Sequence, residues 1–472
     1  MCQKRKQLAR VICLFLFLSP VLPAAESDDT LDLRTLALAP AAEPVPALRY
    51  RLLPDIVDQV NGNAALFYHG AAELCPDVEK DDLGDKIDKW RDSPLDKLPR
   101  EEVDRALATF ENSFRQIKLA TLRNQCAWEM PLEEGYAMLL PGLSTYHNIV
   151  RAMALRARLE IADGNVDQAL QTLQQGLSLG RGIGRGPTLI QGLVGIAISA
   201  IVLEQVESLV ESEHAPNLYW ALTALPTPFI DMRRALEYER GALFLEFPSL
   251  HRLNDEIMTP LQASALVNDF FAKMQPLEMG GPKPFAGVLP VGWVMLHYTD
   301  AKRYLATHGL AEDRIEAMPA AQAVMLYQVE EHLALQDSLG KWFFFPHHLA
   351  QPRFEEADRR IDRLTRARGL KGNLLTAILL PALSRVSFMQ ARLERQICLL
   401  RTIEGMRMYA ADHDGRLPSS LTEIDKVPVP LDPVTGKAFG YQLRDDGSAR
   451  LEAPAAPSEK RRRPVYELTI RP

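Results

Sequence analysis

From Leu374 to Leu421 the chain reads LLTAILLPALSRVSFMQARLERQICLLRTIEGMRMYAADHDGRLPSSL, and from Pro428 to Tyr441 it reads PVPLDPVTGKAFGY. Met389, Leu393, Ile397, Leu400, Ile403, Met406 and Ala410 recur every three or four residues, which predicts one long helix with a single apolar stripe. Arg392, Arg395, Arg401 and Arg407 lie off that stripe. Asp414-Gly415 ends the helix and Pro418 prevents its resumption. Pro428, Pro430 and Pro433 then impose an extended crossing, and Thr435-Gly436 supplies a turn. Ala438–Leu443, a hairpin turn at Asp445-Asp446-Gly447, Ala449–Glu452 and Val465–Ile470 complete a three-stranded antiparallel sheet. Residues 371–472 are therefore expected to form a long helix packed on a small antiparallel sheet.

The rest of the chain is read outward from that unit. Its 472 residues exceed one ordinary core, which predicts roughly two to four domains. A content of 47% hydrophobic and 24% charged residues is that of a globular chain, not a disordered one. Net charge −7 and a pI near 5.9 argue against nucleic acid as a partner, because binding it needs a basic surface to displace counterions. Lys4, Arg5, Lys6 and Arg10, the apolar run Val11–Leu18 and the small residues before Ala25 make residues 1–25 a secretory signal peptide. That run is well short of the ~20 residues of a membrane span, so no permanent span is expected after cleavage. The mature chain keeps Cys75, Cys126 and Cys398; in an oxidising compartment Cys75 and Cys126 form the expected disulfide, the alternative being three buried thiols.

Residues 26–46, rich in Ala, Pro and acid, read as a flexible leader, and residues 47–274 as an α-helical array. Leu52–Cys75 reads as one helix with a weak point at Asn61-Gly62-Asn63, and Tyr146–Ala162 and Val166–Leu179 as a helical hairpin. The fragment GNVDQALQTLQQGLSLG, Gly164–Gly180, resembles the second half of a tetratricopeptide repeat through Gly164, Ala169, Leu173 and Gly176. Gly180–Pro187, GRGIGRGP, follows a helix and lacks Gly-Lys-Ser/Thr, so it reads as a helix cap and turn and not a phosphate loop. Leu189–Val210 is apolar nearly all round; Gln191, Glu204, Gln205 and Glu207 favour a buried central helix over a membrane span. Tyr219, Trp220, Arg233 and Arg234 are the candidate partner-binding residues, aromatic and arginine side chains being common interface anchors; the alternative for Tyr219 and Trp220 is packing in a corner between helices. Residues 275–290 read as a Gly/Pro linker or loop and 291–370 as a helical continuation. His347-His348 lies beside Phe343-Phe344-Phe345 and reads as a structural turn, without metal-ligand spacing.

The tail also carries a resemblance. Leu379-Leu380-Pro381-Ala382-Leu383-Ser384-Arg385, Cys398, Leu400-Arg401-Thr402-Ile403, Met408 to Pro418, Asp432-Pro433 and Gly436-Lys437 resemble the heads of general-secretion-pathway pseudopilins and pilin-like proteins of planctomycete-type bacteria. The chain lacks their N-terminal cleavage site with its long apolar stalk, so a filament subunit is not implied. As a whole it is similar to large exported helical proteins of the same bacteria, a resemblance that implies no particular activity. The expectation is an exported scaffold or adaptor, periplasmic or in the cell envelope, with an envelope or secretion-assembly protein as partner and no cofactor or metal. The alternatives are an envelope hydrolase using carboxylates such as Glu237 and Glu239, or His347, and an apolar-ligand-binding protein.

Overall fold

A computed structural model describes residues 31–131, 142–274, 290–365, 372–379, 383–456 and 463–471. The expected signal peptide, the 275–289 part of the expected linker, and Leu380-Pro381-Ala382 of the pseudopilin-like motif lie outside the described residues. The described chain is mainly helical, with sixteen α-helices and six strands. In order these are β1 (Asp32–Leu38), β2 (Val60–Asn63), α1 (Ala64–Glu73), α2 (Leu83–Arg91), α3 (Arg100–Ala108), α4 (Glu111–Thr121), β3 (Arg123–Gln125), α5 (Leu143–Ala162), α6 (Val166–Gly184), α7 (Leu189–Val210) and α8 (Tyr219–Thr223). There follow α9 (Arg233–Glu246), α10 (Pro260–Met274), α11 (Pro290–Thr307), α12 (Glu312–Ala317), α13 (Ala320–Gly340), α14 (His347–Thr365), α15 (Leu374–Leu379), α16 (Leu383–Asp412), β4 (Gly440–Leu443), β5 (Ala449–Glu452) and β6 (Pro464–Ile470).

The hairpin α5–α6 turns at Gly164, whose φ of 74° an L side chain rarely adopts. α7 lies across α6 at close range because both present glycine to the crossing. A Cβ on Gly195 would stand 2.6 Å from the Gly180 carbonyl oxygen and the Gly184 Cα, and one on Gly176 would stand 2.7 Å from Val202. The stretch Gly180–Gly184 is thus still helix, one turn longer than expected, and its glycines serve packing. α7 is long and apolar enough to cross a membrane by length and composition, but most of its apolar window is buried among α5, α6 and α16. Thr188 and Gln191 close a capping box at its start. The Leu52–Cys75 segment departs from the expected single helix. Val60–Asn63 pairs with Arg123–Gln125 as a parallel ribbon, and the Asn63 side chain accepts the Ala65 N–H at 3.1 Å to start α1.

The tail folds as a helix beside a small sheet, with two corrections. The sheet has four strands in the order β1-β6-β5-β4, and the added strand β1 pairs parallel with β6, Leu36 opposite Leu468. Residues 32–38, expected inside a flexible leader, therefore form an edge strand whose Leu36 and Leu38 are buried. A parallel partner more than four hundred residues away leaves no turn signal beside it. The expected stop is in place, with Asp414 and Gly415 both at positive φ and the Gly415 N–H donating to the Ala410 carbonyl at 2.9 Å. Nor is the tail a separate body. Val386, Leu393, Ile397, Leu400, Ile403 and Met406 of α16 share one core with α4–α8 and the sheet. A second core joins α9–α11 and α13 with Leu374 and Leu375 of α15.

Candidate functional site

Two cavities meet at the loop Pro226-Thr227-Pro228, which with Arg233 lines both. The first, about 530 Å³, lies between this loop, the aromatic turn Phe343–His348, the middle of α16 and the turn Leu431–Gly436. Its rim is apolar and open to solvent: Phe344 is 69% exposed, Phe345 53% and Leu431 58%. Polar groups stand deeper. Glu394 accepts the Phe229 N–H at 2.7 Å, and burial pushes its pKa up to about 7 against that hydrogen bond. His347 has its Nδ1 2.9 Å from the Ser387 hydroxyl; burial, with the charges of Arg395 and His348, lowers its pKa to about 4 and keeps the ring neutral. Burial pushes the Cys398 thiol up to about 12, so it stays protonated and a poor nucleophile. Arg401 donates to the Tyr219 hydroxyl at 3.3 Å and sits 5.3 Å over that ring.

One wall is held by a buried ion pair. Arg395 on α16 and Asp432 in the tail turn meet at 2.8 Å with side chains 2% and 0% exposed. Asp432 also accepts the Val434 and Thr435 N–H groups at 3.2 and 3.1 Å, which fixes the turn. The second cavity, about 700 Å³, lies between the C-terminal end of α6 and the start of α9; it is lined by Arg181, Arg185, Arg233 and Arg234, with Asp231 as the lone acidic lining residue among the described residues.

Arg233 therefore lines both cavities and Arg234 the second, while neither Tyr219 nor Trp220 is among the lining residues of either. Tyr219 is buried edge-on against Trp220 at 5.2 Å and donates its hydroxyl to the Pro428 carbonyl; the Trp220 indole N–H donates to Glu43 at 2.6 Å. The aromatic pair packs a corner, the alternative reading. Glu237 is exposed on α9, whereas Glu239 turns inward, accepts the Leu189 N–H at 3.5 Å and is pushed by burial to about 7. Residues two apart on a helix face different ways, and this pair forms no shared carboxyl site. Cys75, Cys126 and Cys398 are free thiols, which corrects the expected Cys75–Cys126 disulfide: Cys75 hydrogen-bonds the Pro76 carbonyl and Cys126 that of Gly182. Among the described residues no group of three His, Cys, Asp or Glu converges as metal ligands would. Glu394, Arg181 and Arg185 were not singled out by sequence reasoning. The available signal was the four-residue spacing of Arg181 and Arg185, which places both on one helix face.

No family model, no curated protein and no solved structure matches this chain.

Proposed function

We propose that this chain is an exported, non-enzymatic helical scaffold or adaptor of the cell envelope, and that it grips an extended apolar segment of a partner protein in the 530 Å³ cleft beside α16. The observation that carries this reading is the rim of Phe344, Phe345 and Leu431, three large apolar side chains left in solvent around one concavity with Arg401 inside it. Exposed apolar groups ringing a cavity, with arginine at its floor, are the composition of binding hot spots. The signal-like N-terminus supports export. The tetratricopeptide-like fragment of α6 and the pseudopilin-like motifs of α16 support an assembly role, since helical arrays present concave faces to partners.

The test is site-specific photocrosslinking from position 344 of the intact mature chain in an envelope extract. One discrete partner is expected, with its crosslink yield falling about tenfold in Leu431→Asp, the scale of losing one hot-spot contact. A crosslink ladder without a discrete product, or a yield unchanged by Leu431→Asp, would remove the reading. Fractionation should place the mature chain in the periplasm or envelope.

A hydrolase is the second reading, favoured by the Ser387–His347 contact in the same cleft. A base held near pKa 4 is poorly matched to proton abstraction at neutral pH. Labelling of Ser387 by a fluorophosphonate, lost in Ser387→Ala, would favour the hydrolase over the adaptor.

A further inference from the structure

The second cavity is electrostatically incomplete. Arg233 is matched, since its guanidinium donates to both Asp231 oxygens at 2.6–3.0 Å. Among the described residues Arg181, Arg185 and Arg234 line the same cavity with no ion pair and no side-chain hydrogen bond. They sit close enough to feel one another. Burial first, and the charge of Arg185 second, lower the Arg181 pKa, while Arg185 and Arg234 both act on the Cys126 thiol.

Ordinary structural roles account for part of this cluster only. Arg181 and Arg185 lie at the C-terminal end of α6, where a cation is favoured by the helix dipole. Arg233 and Arg234 lie at the N-terminal end of α9, where a cation is disfavoured, and that first turn carries no acidic residue. A chain of net charge −7 has acid to spare, yet it places one carboxylate against four guanidiniums here. The N-terminal end of a helix is itself an anion-attracting element. At α9 that end is already met by Asp231, which accepts the Arg233 N–H at 3.0 Å, so it is the three guanidiniums without a partner that converge on one cavity of about 700 Å³.

We infer that this cavity is a binding site for a multiply charged oxyanion of the phosphate class, held by Arg181, Arg185 and Arg234. Guanidinium forks match phosphate oxygens in bidentate fashion, and three unmatched cations are neutralised better by a phosphate-type anion than by a single carboxylate. The anion could be free or the headgroup of a lipid; the chemistry recognised is the same. The inference stands apart from the adaptor reading, because it concerns the other cavity and needs no partner protein.

The test uses the full mature chain and the variant Arg185→Gln/Arg234→Gln. Both positions are exposed, so folding should be kept, and with like-charge repulsion reduced the variant should unfold at the same temperature as the parent or higher. Two probes separate the sources: inorganic pyrophosphate followed by calorimetric titration, and phosphatidylcholine vesicles with or without phosphatidic acid followed by co-sedimentation. Saturable pyrophosphate binding weakened about tenfold or more in the variant is expected, the scale of losing two charge-assisted guanidinium contacts to the anion. Binding confined to phosphatidic acid vesicles and lost in the variant would assign the site to a headgroup. Equal binding by parent and variant, binding of neither probe, or a variant that unfolds at lower temperature would overturn the inference.

Discussion

Burying a guanidinium costs several kcal/mol unless its N–H groups find acceptors, and Arg407 finds them by tying together the Ala39 segment, the Ala215-Pro216 segment and its own helix. It donates to the Ala39 and Ala215 carbonyls at 2.8 Å and to Pro216 at 3.2 Å, and it pairs with Glu404 at 2.9 Å with both side chains fully buried. Arg407→Leu would leave the Glu404 carboxylate in the core with no cation. A loss of about 3–5 kcal/mol is expected, read from the urea midpoint. Glu394 makes a second residue-scale prediction, with the sign set by its raised pKa. The folded state holds this proton up to about pH 7, while the unfolded chain gives it up near its ordinary carboxyl value of 4.5. Stability from this group is therefore full below pH 4.5 and is lost as pH rises through 7. His347 works the other way, its contribution being present above 6.5 and lost as pH falls through 4. Glu394→Gln keeps an acceptor for the Phe229 N–H without the ionisation. Subtracting its urea midpoints from those of the parent should isolate a difference that grows between pH 5 and 7.5 in favour of the variant. A difference independent of pH would mean that Glu394 is ionised in the fold.

Helices were legible wherever one face is apolar and a turn residue stands between them: α5 and α6 part at Gly164, and the stripe of α16 runs to its Asp-Gly stop. What the pattern could not say is how closely two helices approach. Gly180 and Gly184 read locally as a cap and turn, yet they lie within α6, where Gly180 meets Gly195 of α7 backbone to backbone and Gly184 leaves room for Ile230. The contrast can be measured on two helical glycines. Gly195→Ala must push a Cβ against the Gly180 oxygen and the Gly184 Cα, and a loss of about 1–3 kcal/mol is expected despite the better helix propensity of alanine. Gly241 lies in α9 with open space where its Cβ would be, so Gly241→Ala should gain up to about 1 kcal/mol. Thermal unfolding of both variants separates a packing glycine from a merely flexible one. The buried arginines of α16 were hidden for a related reason. Arg395 and Arg407 lie off the stripe that faces one neighbour, but α16 is wrapped on several sides and its polar positions are buried against other segments.

At the scale of the whole molecule the two ends of the chain close one sheet, and this decides what the tail can do. β1 pairs with β6, and Arg34 on β1 reaches Glu207 of α7 at 2.7 Å, where the Tyr466 hydroxyl of β6 also donates at 2.8 Å. The stretch around β1 is rich in Ala, Pro and acid, and its partner strand lies at the far end of the sequence, so no local pattern could reveal the closure. A tail that completes the core in this way cannot be deleted to test docking; the intact chain with rim substitutions must be used. Leu393, Ile397, Leu400, Ile403 and Met406 are all buried in the main core. At about 1.5–3 kcal/mol for each buried side chain, their loss comes to on the order of 10 kcal/mol. That is comparable to the whole stability of an ordinary domain, about 5–15 kcal/mol. A chain ending at Arg368 is therefore expected to lose cooperative thermal unfolding by circular dichroism and to be cut rapidly by protease within α5–α7. If that shortened chain instead melts in one sharp transition close to the intact protein, then α1–α8 form a core of their own, and α16 and the sheet are a docked accessory free to move in function.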